Sequence, residues 1–435
     1  MKIPTQSSTS GSEQGLAQVD SANAEAVARI NSGDPVLVDV RPAREVVPGL
    51  TANTVMTSGA PLPWDEYTGG QRNAVIGGAL FEGMARDAEH ADALLRSGEI
   101  VLAGCQDHDT IGSLAGVTTP SMPVLVVEDA TDGNRAYCTL FEGAAPARLN
   151  YGVYNEAVRE SLQFLERVIA PVLGEAVRRT GGIHLNPIIR RALHMGDELH
   201  SRNAAGTLLF TRDLLPHLVA LSTEHHPGVE NLAAYLGDGD YFFLRASMAA
   251  SKATLDRLTS VEGSTVVRAM AFSCKEFAIR VAGMGDEWFR GPLPTMEAGG
   301  FFDGHSVADI EFMGGESPIT ESMGLGGFAQ AAAFPLQSYQ GGTSERMVQT
   351  NLEMYDIALA ESPNFRIPYF AYRGVPTGID IRRVVETGIT PVMDIGIAGR
   401  GGGQIGAGSF RAPLACFESA LAEHERRYGA AGSAA

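Results

Sequence analysis

The segment His194-Met195-Gly196-Asp197-Glu198-Leu199-His200-Ser201-Arg202-Asn203 concentrates side chains that can move protons or hold metals. If the helix expected to begin at Asn186 and Pro187 runs on through it, His194 and Glu198 share one face and Asp197 and His200 an adjoining one. Carboxylate beside imidazole is an acid/base arrangement, with Asp197 orienting His200. Metal ligation is the weaker reading, because the HExxH order and a third ligand are missing, and no metal is expected. Exposed charge pairing along a helix is the ordinary cause of such spacing. Glu316 and Glu321 bracket Pro318 inside a glycine-flanked loop, which suits a positioned base or a helix cap. A second candidate lies in residues 378–418, where two apolar strand-like runs surround glycines 399, 401, 402, 403, 406 and 408, followed by Arg411 and a helix start. Glycines expose backbone N–H groups and a helix N-terminus favours negative charge, so this stretch reads as an anion-holding loop or as a tightly packed glycine turn. Arg382, Arg383 and Arg411 straddle it and offer planar donors for carboxylate or phosphate.

The elements that must position these groups follow from periodicity. Val36 to Val40 reads as a buried strand, and the runs around Val124 and Tyr137 form a hairpin joined at Asp132, Gly133 and Asn134. Thr118, Thr119 and Asn134 sit on connections between strands, where chemistry commonly resides, although Asn134 is first a turn residue. From Val158 the spacing becomes helical, through Leu162, Leu165 and Ile169, and further helices are expected at Thr207–Leu221 and Tyr235–Leu258. Strand character returns after residue 262, with a hairpin around Ser273, Cys274 and Lys275. The fold class is therefore α/β (α+β): two mixed α/β domains with a helical domain inserted between them. The expected boundaries are a disordered tail over 1–21, domains at 22–150, 151–262 and 263–435, and a small-residue C-terminal end.

Composition narrows the function classes. Lys and Arg number 33 against 51 Asp and Glu, a net charge of -18 that opposes nucleic acid and anionic membranes as partners. The four cysteines are scattered without a CxxC, as expected of reduced thiols in the cytoplasm. No apolar run reaches the roughly 20 residues of a membrane span, and the N-terminus lacks signal-peptide order. Neither a nucleotide-binding glycine motif, a serine-nucleophile elbow nor the Ser-Thr-x-Thr loop of aspartate and ornithine carbamoyltransferases is present, and no cofactor is expected.

The segments MPVLVVEDATDGNRAYCTLFEG, MGDELHSRN, ITESMGLGG, DIRRVVETGITPVMDIGIA and GQIGAGSFRAPLACFE, in this order, closely resemble the YlbE-like family, that of the AllG subunit of oxamate carbamoyltransferase. The resemblance spans residues 22–428. It implies a step of purine and allantoin catabolism in which oxalurate and phosphate give oxamate and carbamoyl phosphate. It also implies an assembly with an FdrA-like subunit and a third subunit, in the cytoplasm. Such a reaction needs donors for an anionic phosphate, donors for a developing oxyanion and an acid for the departing nitrogen. The residues suited to these tasks are Gly406, Gly408 and Arg411, with Gln404 in the same motif and Arg382 and Arg383 nearby, for the anions. Asn134, Thr118 or Thr119 suit the oxyanion, and His200 with Asp197, or Glu321, the proton. Two rival readings are a metal-dependent amidohydrolase acting on a ureide through Asp197, His200 and His108, and a non-catalytic partner of the FdrA-like protein.

Overall fold

The apolar run that follows Gly33, Asp34 and Pro35 becomes the strand Pro35–Pro42, half of whose residues are buried. It pairs antiparallel with Pro123–Asp129, which carries the hairpin partner Arg135–Thr139, while Ile183–His184 covers its other edge. The computed structural model describes residues 9–429. Helices Ala170–Thr180 and Phe242–Asp256 pack on this first sheet. Leu37, Val40, Leu125 and Val127 meet Leu173, Val177, Ala246 and Ala253 there in one apolar cluster.

Four further sheets are formed among the described residues. Thr54–Thr57 runs parallel to Val101–Gly104; the other strand ladders among the described residues are antiparallel. The fold is thus mixed α/β, as expected, with hairpins and not βαβ crossovers as its main unit. Near the C-terminus Val392–Gly399 and Gln404–Arg411 form a hairpin extended on one side by Thr295–Phe301 and on the other by Ile310–Glu311. A second large apolar cluster joins these strands to the segments around Val55, Val75 and Phe277. Both clusters draw residues from all three parts into which the sequence divides the chain.

Several local expectations change. Residues 9–21, placed in the tail, open the helix Thr9–Ser32; residues 1–8 and 430–435 lie outside the described residues. Between Glu156 and Asp256 the chain is largely helical, but the helix expected over Tyr235–Leu258 is two, Val229–Gly237 and Phe242–Asp256, broken around Gly239. The helix expected to continue through the His/Asp/Glu segment is Leu185–His194 and stops there. Gly196 at φ 98 and Leu199 at φ 72 take left-handed conformations incompatible with helix. His194 and Glu198 therefore do not share a helix face, nor do Asp197 and His200.

Candidate active site

The break in helix after His194 sets the site. Residues 195–203 form an irregular turn whose buried members, Asp197, Glu198, His200 and Asn203, point into the protein instead of decorating a helix. Leu199 is fully buried in its left-handed backbone conformation, a strain held by the surrounding packing. His200 Nδ1 stands 2.7 Å from Glu321 Oε1 and 2.9 Å from Oε2. The Glu321 carboxylate also accepts from the amides of Gly327 and Asp394 at 3.1 and 3.0 Å, and from Thr320 Oγ1 at 2.9 Å. Both of its oxygens are thus engaged by donors. With the Glu321 carboxylate as its acceptor, the His200 proton sits on Nδ1 and Nε2 is left to accept. Gly326 makes this possible: its φ is 57, and a Cβ there would lie 2.2 Å from Glu321 Oε1.

Two more carboxylates stand behind the pair. Asp394 Oδ1 accepts from Gln330 Nε2 at 2.6 Å and Ser409 Oγ at 2.7 Å, while Oδ2 is buried without a partner. Burial, reinforced by the Glu321 charge, pushes Asp394 up to about 6. Glu198 accepts from the amides of Ser201 and Arg202, and burial with the neighbouring Asp394 charge drives it well above the usual carboxylate range.

His200 faces a cavity of about 60 Å³ whose walls include no exposed residue. Arg148 and Arg245, 6 and 2 % exposed, line it, and each has a buried Nε without a hydrogen-bond partner. Arg148 stacks 4.5 Å from the Tyr151 ring and donates to Gly143 O at 2.9 Å and Gln404 Oε1 at 2.7 Å, both neutral acceptors. Glu142 is the acidic group that senses both arginines; burial raises it while they pull it down, and it accepts from the amides of Leu149 and Asn150. Asn150 Nδ2 donates to Ser113 Oγ at 3.3 Å, leaving its Oδ1 without a partner. Gly396 forms part of the wall, and a Cβ there would fall 2.4 Å from the Tyr151 hydroxyl. The arrangement can bind a small anion beside a basic imidazole nitrogen.

Of the residues singled out in the sequence, His200, Glu321 and Gln404 meet at this cavity or directly behind it. The others are elsewhere. Asp197 does not orient His200: its Oδ2 accepts from Gly206 N at 2.8 Å at the start of helix Ala204–Thr223, its Oδ1 stands 3.5 Å from Arg202, and burial raises it to about 6. Arg411 is engaged by Glu297 at 2.7 Å, by Glu353 and by Thr390 O at 2.8 Å. Gly406 and Gly408 lie inside a strand, where a Cβ would meet Gly300 O at 2.1 Å and Ala298 O at 2.5 Å, so their amides belong to a packed sheet and not to an open anion loop. Helix Leu414–His424 starts beyond that sheet. Arg382 pairs with Asp380 at 2.9 Å, and Arg383 donates to Ala358 O. Asn134 Nδ2 ties its turn to Ala253 O at 2.7 Å, Thr119 Oγ1 donates to Glu82 at 2.6 Å, and Thr118 lies in a strand paired with Met56. His108 is half-buried and bonded to Pro48 O, and among the described residues no group of three or more His, Cys, Asp or Glu converges as a metal site would require.

Arg148, Arg245, Asn150 and Ser113 are the cavity residues that sequence reasoning passed over. A signal exists for Arg245: it lies in FFLRASMAASK, a helix of small and aromatic residues with no polar face wide enough for solvent, so its cation had to be buried.

A mixed α/β protein whose cavity joins paired imidazole and carboxylate to buried guanidinium groups can hold a small anion beside a proton-handling group. A family model described as oxamate carbamoyltransferase subunit AllG matches residues 100–317. The chain is 40% identical over 408 residues to the oxamate carbamoyltransferase subunit AllG of Escherichia coli K12, covering 93% of this chain and 97% of that one. It is 39% identical over 416 residues to the E. coli K12 protein YahG, with 95 and 87% covered. A crystal structure of a conserved protein from Enterococcus faecalis V583 superposes with a TM-score of 0.90 at 38% identity, covering 95% of this chain and 99% of that one. The chain belongs to the AllG family of oxamate carbamoyltransferase subunits. None of its helices among the described residues is long and apolar enough to cross a membrane.

Proposed function

We propose that this chain carries the reaction centre of a carbamoyltransferase that splits oxalurate, or a closely related ureide, with phosphate into oxamate and carbamoyl phosphate. The observation that carries the reading is the His200–Glu321 pair facing a cavity that also holds Arg148 and Arg245. Hydrogen phosphate attacks the carbamoyl carbon and gives its proton to His200 Nε2. The tetrahedral intermediate then expels the amide nitrogen, which takes that proton from His200, so no net acid or base is consumed. Glu321 holds the imidazole in the tautomer that can do both and stabilises the imidazolium between the two steps. Asn150 Nδ2 and the Ser113 hydroxyl are the donors best placed for the oxyanion, in the role the sequence suggested for Asn134, Thr118 and Thr119.

The exposed apolar side chains Leu208, Leu215 and Val219, spaced seven and four residues apart on helix Ala204–Thr223, suit contact with a further subunit, in keeping with an assembly that includes an FdrA-like protein. The metal-dependent amidohydrolase reading loses its support because Asp197, His108 and His200 face different surroundings.

The test is formation of carbamoyl phosphate from a panel of ureides with phosphate, using the chain alone and with the subunits that co-purify with it. Phosphate-dependent product that vanishes with His200→Ala is expected. Ureide cleavage that proceeds without phosphate would sink the proposal.

A further inference from the structure

A second pocket, of about 290 Å³, adjoins the cavity and shares Ser201, Tyr241 and Tyr339 with it. Asp240, Pro335 and Ser338 in its wall are exposed, so it is the outer of the two. The Tyr241 and Tyr339 rings, with centroids 6.1 Å apart, form the partition. The inner cavity of about 60 Å³ is much the smaller of the two. Oxalurate has nearly twice as many non-hydrogen atoms as phosphate, so the smaller reactant suits the inner cavity, and the outer pocket has ample room for the ureide.

Charge sorts the ligands in the same direction. The inner cavity presents two buried guanidinium groups with unpartnered Nε atoms, and a dianion answers both. The outer pocket presents a single guanidinium, Arg202, whose Nε is also unpartnered while its Nη1 stands 3.5 Å from Asp197. Asp240 at the mouth can accept from an N–H. One cation with one acceptor fits a ureide monocarboxylate better than it fits phosphate.

We infer that the site is divided into two subsites: inorganic phosphate occupies the inner cavity on Arg148 and Arg245, and the ureide occupies the outer pocket on Arg202, with its carbamoyl end at the Tyr241–Tyr339 partition beside Ser201 and His200. The inference rests on the reaction proposed above and assigns each reactant its place. The partition also senses the inner ligand: Arg148 donates to Gln404 Oε1, and Gln404 Nε2 donates to the Tyr339 hydroxyl at 2.6 Å. Tyr339 stands on the four-residue helix Gln337–Gln340, followed by Gly341 and Gly342 at φ 73 and 82, a segment built to turn.

The test is calorimetric titration with inorganic phosphate and with oxamate, separately and together, on the purified chain and on its assembly with co-purifying subunits. Simultaneous binding of both is expected. Arg245→Met should weaken phosphate roughly 10- to 100-fold and leave oxamate within about twofold, and Arg202→Met the reverse. The wild-type competition needs no variant, so a folding defect in Arg245→Met would not blunt the result. Mutual exclusion of phosphate and oxamate, absence of phosphate binding, or weakening of the same ligand by both substitutions overturns the division into subsites. Binding requires no turnover, so two-ligand binding in a protein that forms no carbamoyl phosphate would overturn the reaction and leave the subsites standing.

Discussion

The C-terminal hairpin and the His200 cavity both contain glycines and arginines, yet the two regions use them in opposite ways. In the hairpin, Gly406 and Gly408 let two backbones touch, and Arg411 is neutralised by Glu297 and Glu353 near the surface. In the cavity, Gly326 and Gly396 make room for Glu321 and Tyr151, and Arg148 and Arg245 are buried with donors left over. A glycine next to an arginine is thus ambiguous until the partners of the guanidinium are known. Where two such guanidinium groups line one cavity, a bound anion would satisfy donors that otherwise cost about 1–3 kcal/mol each to leave unmade.

The sharpest way to break this contrast is His200→Ala. It should lower kcat by about 10²–10⁴-fold with an unchanged circular dichroism spectrum, and near-native turnover would remove the cavity from consideration. Next comes the choice of orienting carboxylate. Glu321→Gln should cost on the order of 10²-fold in kcat, because the amide no longer fixes the basic tautomer. Asp197→Asn should leave kcat within a few-fold and lower stability by about 1 kcal/mol through the weakened helix cap. The opposite ranking would restore the Asp197–His200 pair.

A third test reads pH. Glu316 lies between the amides of Gly59 and Gly112, and burial raises it from 4.5 to about 8. Above 4.5 the unfolded chain gives up this proton while the folded chain keeps it until about 8, so the folded state binds more protons in that window. Stability therefore falls as pH rises across it. Glu316→Gln should flatten the Tm-against-pH curve between pH 6 and 8, and an unaltered slope would refute the assignment. The smallest effect is expected at Arg411, where Ala should cost about 1 kcal/mol in a denaturant melt and leave KM for phosphate unchanged. A large rise in that KM would return the anion site to the hairpin.

The sequence carried the class of the fold because short continuous apolar runs such as Val124–Val127 and period-3.6 runs such as Val158–Ile169 are local properties. His200 and Glu321 could be picked out because polar residues in glycine-rich, turn-like surroundings are poor helix or strand material. Their pairing across 121 residues could not, since it depends on where two loops land. Asp197 was a natural partner for His200 by spacing, but the left-handed residues Gly196 and Leu199 rotate the two side chains apart. Arg148 was hidden for a different reason: a lone arginine usually marks solvent, and only the tertiary packing seals it in, whereas the helix of small and aromatic residues around Arg245 did signal its burial.

The walls of the cavity come from Ser113, Arg148, His200, Arg245, Tyr339 and Gln404, which together span most of the chain. Bringing such distant segments to one point carries the loop-closure cost of nearly the whole polypeptide, so the site belongs to the last stage of folding. Helix content should return early when the denatured chain is refolded, with ligand binding returning only when the final contacts close. For the same reason a nick in any long loop would divide residues that the cavity needs together.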